Sequence, residues 1–259
     1  MVASTQQIYS HRDLFSLLVA KELKIKYKGT ALGVVWSLLN PLLMMLVYTV
    51  VFSTILRFSV PRYPIFLLSG LLPWTAFAAS LISATVSITH NGHLVRKMFF
   101  PYELLPLTTV TSAFFNLVPS FAVLLVMAVF FGQPLGAPLL ALPIVVLIEV
   151  AFTAGLALAL AAMTVYFRDI EYLVGIVTTV WFFATPVIYP LSIFSGRSFG
   201  GLLLLNPMTW IIDSYQRIWH ENAWPSGNYL LLAAVTAATT FALGALIFER
   251  LRRRLPEEV

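Results

Sequence analysis

Residues 104–148 read LLPLTTVTSAFFNLVPSFAVLLVMAVFFGQPLGAPLLALPIVVLI, 45 residues without one charged side chain. As a single helix this run would extend about 67 Å, roughly twice the hydrocarbon thickness of a bilayer. It must therefore turn back on itself. GQPLGAP, residues 132–138, supplies the break, because glycine and proline are the strongest local interruptions of a helix. Two membrane spans follow, at 104–131 and 139–167.

The rest of the chain has the same character. Of its 259 residues, 59% are hydrophobic and 10% charged, whereas a soluble domain is about 25% charged. Further apolar runs at 33–56, 65–89, 172–189 and 229–248 are each of about the length a bilayer crossing needs. The expected fold is an all-α polytopic membrane protein with six transmembrane helices in a single domain, residues 1–259. FGGLLLLNPMTWII, residues 199–212, is apolar but short, and Asn206-Pro207 interrupts it. Charge parity decides its reading. With six spans, the N-terminal segment, the 91–101 loop, the Arg168 loop and the C-terminal tail share one side and hold 12 of the 16 Lys and Arg residues. Enrichment in Lys and Arg marks the cytoplasmic side, so both termini are expected there. A seventh span would carry Arg250, Arg252, Arg253 and Arg254 across. Residues 199–212 are therefore read as an outer re-entrant segment between spans five and six. Such backbone persists at membrane depth only where protein or a water-filled cavity satisfies it. The chain is polar up to Tyr9 and has no cleavable leader pattern, so the first span is expected to be retained.

Several chemistries are not supported. Cysteine is absent, which removes disulfide and thiolate sites. No G-x-x-x-x-G-K-[ST] phosphate loop occurs. No Ser/His/Asp or paired-carboxylate spacing suggests catalysis. His90 and His93 lack a third ligand, so no metal site is expected. The net charge of +5 gathers on the cytoplasmic side, which suits anionic membrane lipid rather than nucleic acid.

The cytoplasmic segments carry the recognisable features. Residues 8–29 form an amphipathic interface helix, with Ser10 as cap, Asp13 three residues on, and Tyr9 and Leu14 as a hydrophobic staple. Lys21, Lys24 and Lys28 share a face, with Leu14, Leu18 and Ile25 beside them; Lys26 falls off it. A membrane-surface anchor and a partner-docking or gating helix both fit this pattern. Gly29 and Gly33 let the chain turn sharply into the first span. The next cytoplasmic stretch, THNGHLVRKMFFPYELLPL (89–107), turns at Asn91-Gly92. It then makes about two helical turns over 93–100, closed by Pro101. It reads as a connector or as a partner contact. Arg168, Asp169 and Glu171 form a snorkelling and pairing cluster at a span end.

Within the spans, Glu149 is a lone deep carboxylate with no basic residue at its depth. A structural hydrogen bond and a proton relay are its two readings. Trp210, Trp219 and Trp224 fall where an outer interfacial belt would lie. Trp74 and Trp181 lie nearer mid-span, accompanied by Tyr48, Phe52, Phe77, Phe182 and Phe183. These rings either pack helices or line a route. Flat apolar faces with a polar edge suit the CH-rich faces of sugars. The candidate lining is Trp36, Tyr48, Phe52, Trp74, Phe77 and Trp181.

GLLPWTAFAASLISATVSITHNGHLVRKMFFPYELLPL (70–107) resembles the signature region of ABC-2-type polysaccharide export permeases, the membrane subunits of O-antigen, teichoic-acid and capsule exporters. The basic opening helix running into ALGVVWSLLNPLL, the YFRDIEYLVGIV stretch, and TPVIYP followed by LLNPMTWIIDSYQ resemble the same family in the same order. The resemblance implies an inner-membrane permease that pairs with a second copy of itself and with two copies of a separate ABC ATPase subunit. That partner would hold ATP and magnesium, leaving this chain without cofactor or catalytic residues. The resemblance further implies that His93, Leu94, Val95, Arg96, Lys97, Met98, Phe99 and Phe100 form the coupling helix on the ATPase. Lys21, Lys24, Lys28, Gly29, Leu32 and Gly33 would form a cytoplasmic gate at the substrate entrance. The outer segment would cap the channel. The expected function is ATP-driven export of a lipid-linked polysaccharide. The alternatives are an ABC-2 exporter of a drug or lipid, and a proton-coupled secondary transporter that depends on Glu149.

Overall fold

The computed structural model describes residues 12–27, 35–55, 60–97, 101–194 and 198–252. Among these, every regular element is helical. Helix α1 (Arg12–Tyr27) is followed by α2 (Val35–Tyr48), which continues as a π-helical stretch, Thr49–Ile55. Helix α3 is Tyr63–Thr85, and the short α4 (Ser87–His90) and α5 (Gly92–Lys97) follow it. Helices α6 (Leu104–Phe115) and α7 (Leu117–Phe130) form one rod, jointed at Asn116. A 3₁₀ turn (Ala137–Ala141) leads into α8 (Leu142–Tyr166), and α9 is Ile170–Phe183. A second 3₁₀ turn (Leu191–Phe194) and α10 (Ser198–Leu203) precede α11 (Pro207–Gln216). Its π-helical extension is Arg217–Glu221, and α12 (Gly227–Leu251) closes the order.

Among the described residues, four helical segments are long and apolar enough to cross a membrane: Tyr63–Thr85, Leu104–Phe130, Ala137–Tyr166 and Gly227–Leu251. Leu42–Phe52 and Ile170–Phe183 are shorter apolar helices. The charge-free run at 104–148 does fold back, and it does so at 132–138, where Gly132 takes a left-handed φ of 64°. The fifth run departs from its expected length. It stops as a helix at Phe183 rather than continuing to 189. Pro186 is the local cause, because proline lacks an N–H and disfavours helical geometry in the residue before it.

α3 is the most enclosed helix. It starts with proline in its first turn, a position where the missing N–H costs nothing. The main core gathers around it, with Leu67, Phe77, Ala84, Phe152, Ile212 and Tyr215 all buried. α8 and α12 make the tightest crossing. A Cβ on Gly244 would overlap the carbonyl of Gly155, and one on Gly155 would lie 2.6 Å from the Phe241 backbone. Small residues let the two backbones meet, which is how helices gain packing where lipid gives no hydrophobic drive. The outward faces stay apolar, as Val126 and Val129 on α7, Ile176 and Val180 on α9, and Leu231 and Leu243 on α12 are exposed.

The helix ends gather at two poles. At one, Arg62 Nε donates to Phe131 O at 3.2 Å, Gln133 Nε2 donates to His220 O, and His220 Nε2 donates to Pro61 O at 2.7 Å. Two loops, 60–62 and 131–136, are thus joined to the π-helical end of α11, Arg217–Glu221. At the other pole, Ile88, Leu105, Val165 and Phe248 share a smaller core. Tyr166 Oη donates there to Leu251 O at 2.8 Å.

Candidate functional site

Beyond Phe183 the chain is not helical, yet Thr185, Pro186, Val187 and Ile188 are buried among helices. Backbone in that position must find partners within the protein. It finds them on side chains from distant elements. Asn206 Nδ2 donates to Ala184 O at 3.1 Å, Gln216 Nε2 to Pro186 O at 2.8 Å, and Tyr63 Oη to Ile188 O at 2.7 Å. The phenol of Tyr189 closes the set by donating to Phe183 O at 2.8 Å. Gly70 makes room, since a Cβ there would press on Gln216 Nε2 at 3.1 Å and Ile212 at 3.2 Å.

Asn206 joins this broken segment to α11. Its Oδ1 accepts from Met208 N at 3.0 Å, capping the helix, and from the indole Nε1 of Trp181 at 2.8 Å. Its Nδ2 also donates to Thr185 Oγ1 at 2.9 Å. One amide therefore fixes the start of α11, the end of α9 and the orientation of Trp181.

Trp181 belongs to an aromatic cluster contributed by α2, α3, α8 and α9. Its ring stands edge-on to Phe77 at 5.3 Å and to Trp74 at 6.4 Å, and Phe77 stacks on Phe152 at 5.9 Å. Phe182 bridges Trp74 at 5.7 Å to Tyr48 at 6.2 Å. Phe52 stacks on Tyr63 at 6.4 Å. Of the six aromatics named from the sequence, five are therefore placed. Phe77 has no exposed surface and Trp74 only 5%, whereas Tyr48, Phe52 and Trp181 are half-buried. The side chain of Trp36 lies outside the described residues.

Glu149, on α8, meets α11. Tyr215 Oη donates to its Oε2 at 2.7 Å, and both side chains are fully buried. Oε1 has no partner among the described residues. Sequence reading singled out the acid but not its partner, because nothing in the apolar spacing of α11 marks Tyr215 as facing α8. Trp219 departs from the expected outer belt. It is 3% exposed and packs on Phe121 at 5.7 Å, while Trp224 is 58% exposed.

At the pole formed by α4 and α5, His93 is exposed and Leu94 half-buried. Val95, Arg96 and Lys97 complete α5, with their side chains outside the described residues, as are Met98, Phe99 and Phe100 altogether. α1 packs along α6. On α1, Val19 is buried, and Lys21 and Lys24 are exposed. Lys28, Gly29, Leu32, Gly33 and the cap at Ser10 lie outside the described residues. The same pole holds a cluster that sequence reading missed. Arg252 pairs with Glu103 at 2.9 Å and with Glu249 at 3.4 Å.

Comparison with known proteins places this arrangement. The chain is 39% identical over 261 residues to the O-antigen export system permease protein RfbA of Myxococcus xanthus, covering 100% of both chains. It is 29% identical over 258 residues to the protein of the same name from Klebsiella pneumoniae, covering 98% of this chain and 99% of that one. The family model for the ABC-2 type transporter matches residues 13–219. The chain belongs to the ABC-2 type transporter family.

Proposed function

We propose that this chain is the permease subunit of an ATP-driven exporter that carries a lipid-linked O-antigen polysaccharide across the cytoplasmic membrane. The observation that carries the reading is end-to-end likeness to O-antigen export permeases. Two copies of the chain work with two copies of an ATPase that binds ATP and magnesium. The six spans are the four long helices plus α2 and α9. α9 alone covers about 21 Å of the roughly 30 Å hydrocarbon core. The buried segment 184–189 carries the chain the remaining distance. α11 starts beside that segment and ends at the pole holding the 60–62 and 131–136 loops, which supports an outer re-entrant helix. The pole with α1, α5 and Arg252 is the cytoplasmic one, by its Lys and Arg content. His93–Phe100 then form the ATPase contact, and Lys21, Lys24 and Lys28 the entrance gate.

The half-buried rings Tyr48, Phe52 and Trp181 form the polymer-facing edge of the aromatic cluster, with Trp74 and Phe77 supporting them from behind. Their faces suit sugar rings, and their flatness tolerates a sliding chain. Glu149 serves a structural hydrogen bond, supported by its contact with Tyr215.

The test is deletion of the gene in its host, followed by immunoblotting for surface polysaccharide and extraction of the membrane. Loss of surface polymer with accumulation of lipid-linked polymer on the inner face is expected. Unchanged surface polymer would overturn the reading.

A further inference from the structure

Residues 88–103 connect α3 to α6, and because those two helices pack together the chain makes a hairpin here. Both of its flanks are seated. Ile88 on the way out and Leu105 on the way back are buried in the same small core, against Leu158, Ala162 and Val165 of α8 and Phe248 of α12. Beside this core lies the polar cluster of Arg252. The side chain of Glu103 is 10% exposed and that of Arg252 33%. Glu103 immediately precedes α6, and its backbone carbonyl accepts from Leu107 N at 3.2 Å. Arg252 directly follows α12. The ion pair therefore fastens the exit of the hairpin to the C-terminal end of α12.

A fully exposed pair would contribute little, but a carboxylate this enclosed leaves an uncompensated charge when its partner is removed. α12 cannot move alone either, because the Gly155–Gly244 crossing locks it to α8. α8 in turn holds α11 through Glu149 and Tyr215. Packed elements with discrete arrangements transmit a displacement from one end to the other.

We infer that the Glu103–Arg252 ion pair is a positioning contact of the transport cycle: it makes a displacement of the 88–103 hairpin move α12 and α8 as one body. The inference rests on the exporter reading, in which a partner ATPase pushes on this hairpin. It assigns the output of that push to the last helix as well as to the two spans the hairpin connects.

The experiment uses the permease coexpressed with its ATPase. Permease level, co-purified ATPase, ATP hydrolysis in proteoliposomes and surface polymer in cells are measured for wild type, Glu103→Gln, and the charge swap Glu103→Arg/Arg252→Glu. Glu103→Gln is expected to assemble and to hydrolyse ATP within about twofold of wild type, while polymer exported per ATP falls about tenfold. The charge swap is expected to restore at least about half of the lost coupling. Export that merely follows permease level in every variant would overturn the inference, as would wild-type coupling in Glu103→Gln. If Glu103→Gln fails to accumulate, the swap decides: normal accumulation without export overturns the inference, and normal accumulation with export supports it. Absence of any ATPase from the wild-type preparation would instead strike at the exporter reading, before a variant is made.

Discussion

All four hydrogen-bonding positions of the Asn206 amide are in use, two as acceptor and two as donor. Replacement by Ala leaves the Trp181 indole, the Met208 N–H and the Ala184 carbonyl without that partner at a partly buried site. Each such loss costs about 0.5–1.5 kcal/mol. Asn206→Ala should therefore lower the melting temperature in detergent by several degrees. Asn206→Asp, which retains both acceptor contacts and loses both donors, should fall between Ala and wild type. Equal melting of all three proteins would show that the node does not hold α11. Glu149 allows a complementary test. Gln at 149 keeps an oxygen that can accept from Tyr215, so Glu149→Gln should export polymer within about twofold of wild type. A normally inserted Glu149→Gln protein with no export would favour the proton-relay reading.

At the scale of elements, the contrast between two breaks shows what the sequence can and cannot reveal. The turn at 132–138 was legible because Gly132, Pro134, Gly136 and Pro138 lie together between two long apolar runs. The break after Phe183 was not, because Ala184, Val187 and Ile188 are as apolar as the helix before them. Only Pro186 signalled it. The partners that make the break tolerable, Tyr63, Asn206 and Gln216, lie far away in the chain. The α8–α12 crossing was hidden for a similar reason, since a glycine in an apolar run does not announce its neighbour. Its energetics can be separated from helix propensity by comparing two glycines. Gly244→Ala overpacks the crossing and should destabilise by about 1–3 kcal/mol. Gly175→Ala on α9 meets nothing within 4 Å, and should be neutral or stabilising by up to about 1 kcal/mol from improved helix propensity. Thermal unfolding of both variants in the same detergent checks the opposite signs. A destabilised Gly175→Ala protein would mean that this face of α9 is covered in the assembled transporter.

For the whole molecule, charge parity reads residues 199–212 as an outer re-entrant segment rather than a seventh span, and the structure's two poles turn that reading into a measurable difference. The absence of cysteine means that single thiols can be introduced without background. His93 and Arg250 are both exposed at the pole of α5 and the end of α12, and Trp224 is 58% exposed toward the opposite pole. With six spans, the chain crosses an even number of times between 93 and 250. With a seventh it crosses an odd number. A membrane-impermeant maleimide should therefore label His93→Cys and Arg250→Cys in inside-out vesicles, and Trp224→Cys in right-side-out vesicles. Labelling of positions 93 and 250 from opposite sides would require α11 and its flanks to span the bilayer. The hydrogen bonds oppose that outcome. Asn206 ties the start of α11 to the broken end of α9, and His220 ties its far end to Pro61 and Gln133. Residues 207–219, helical throughout between those ties, cover about 20 Å, less than the roughly 30 Å of the hydrocarbon core. A segment pinned at both ends over that distance can enter the membrane and return to the side it came from, which is the geometry an outer cap over a polymer route requires.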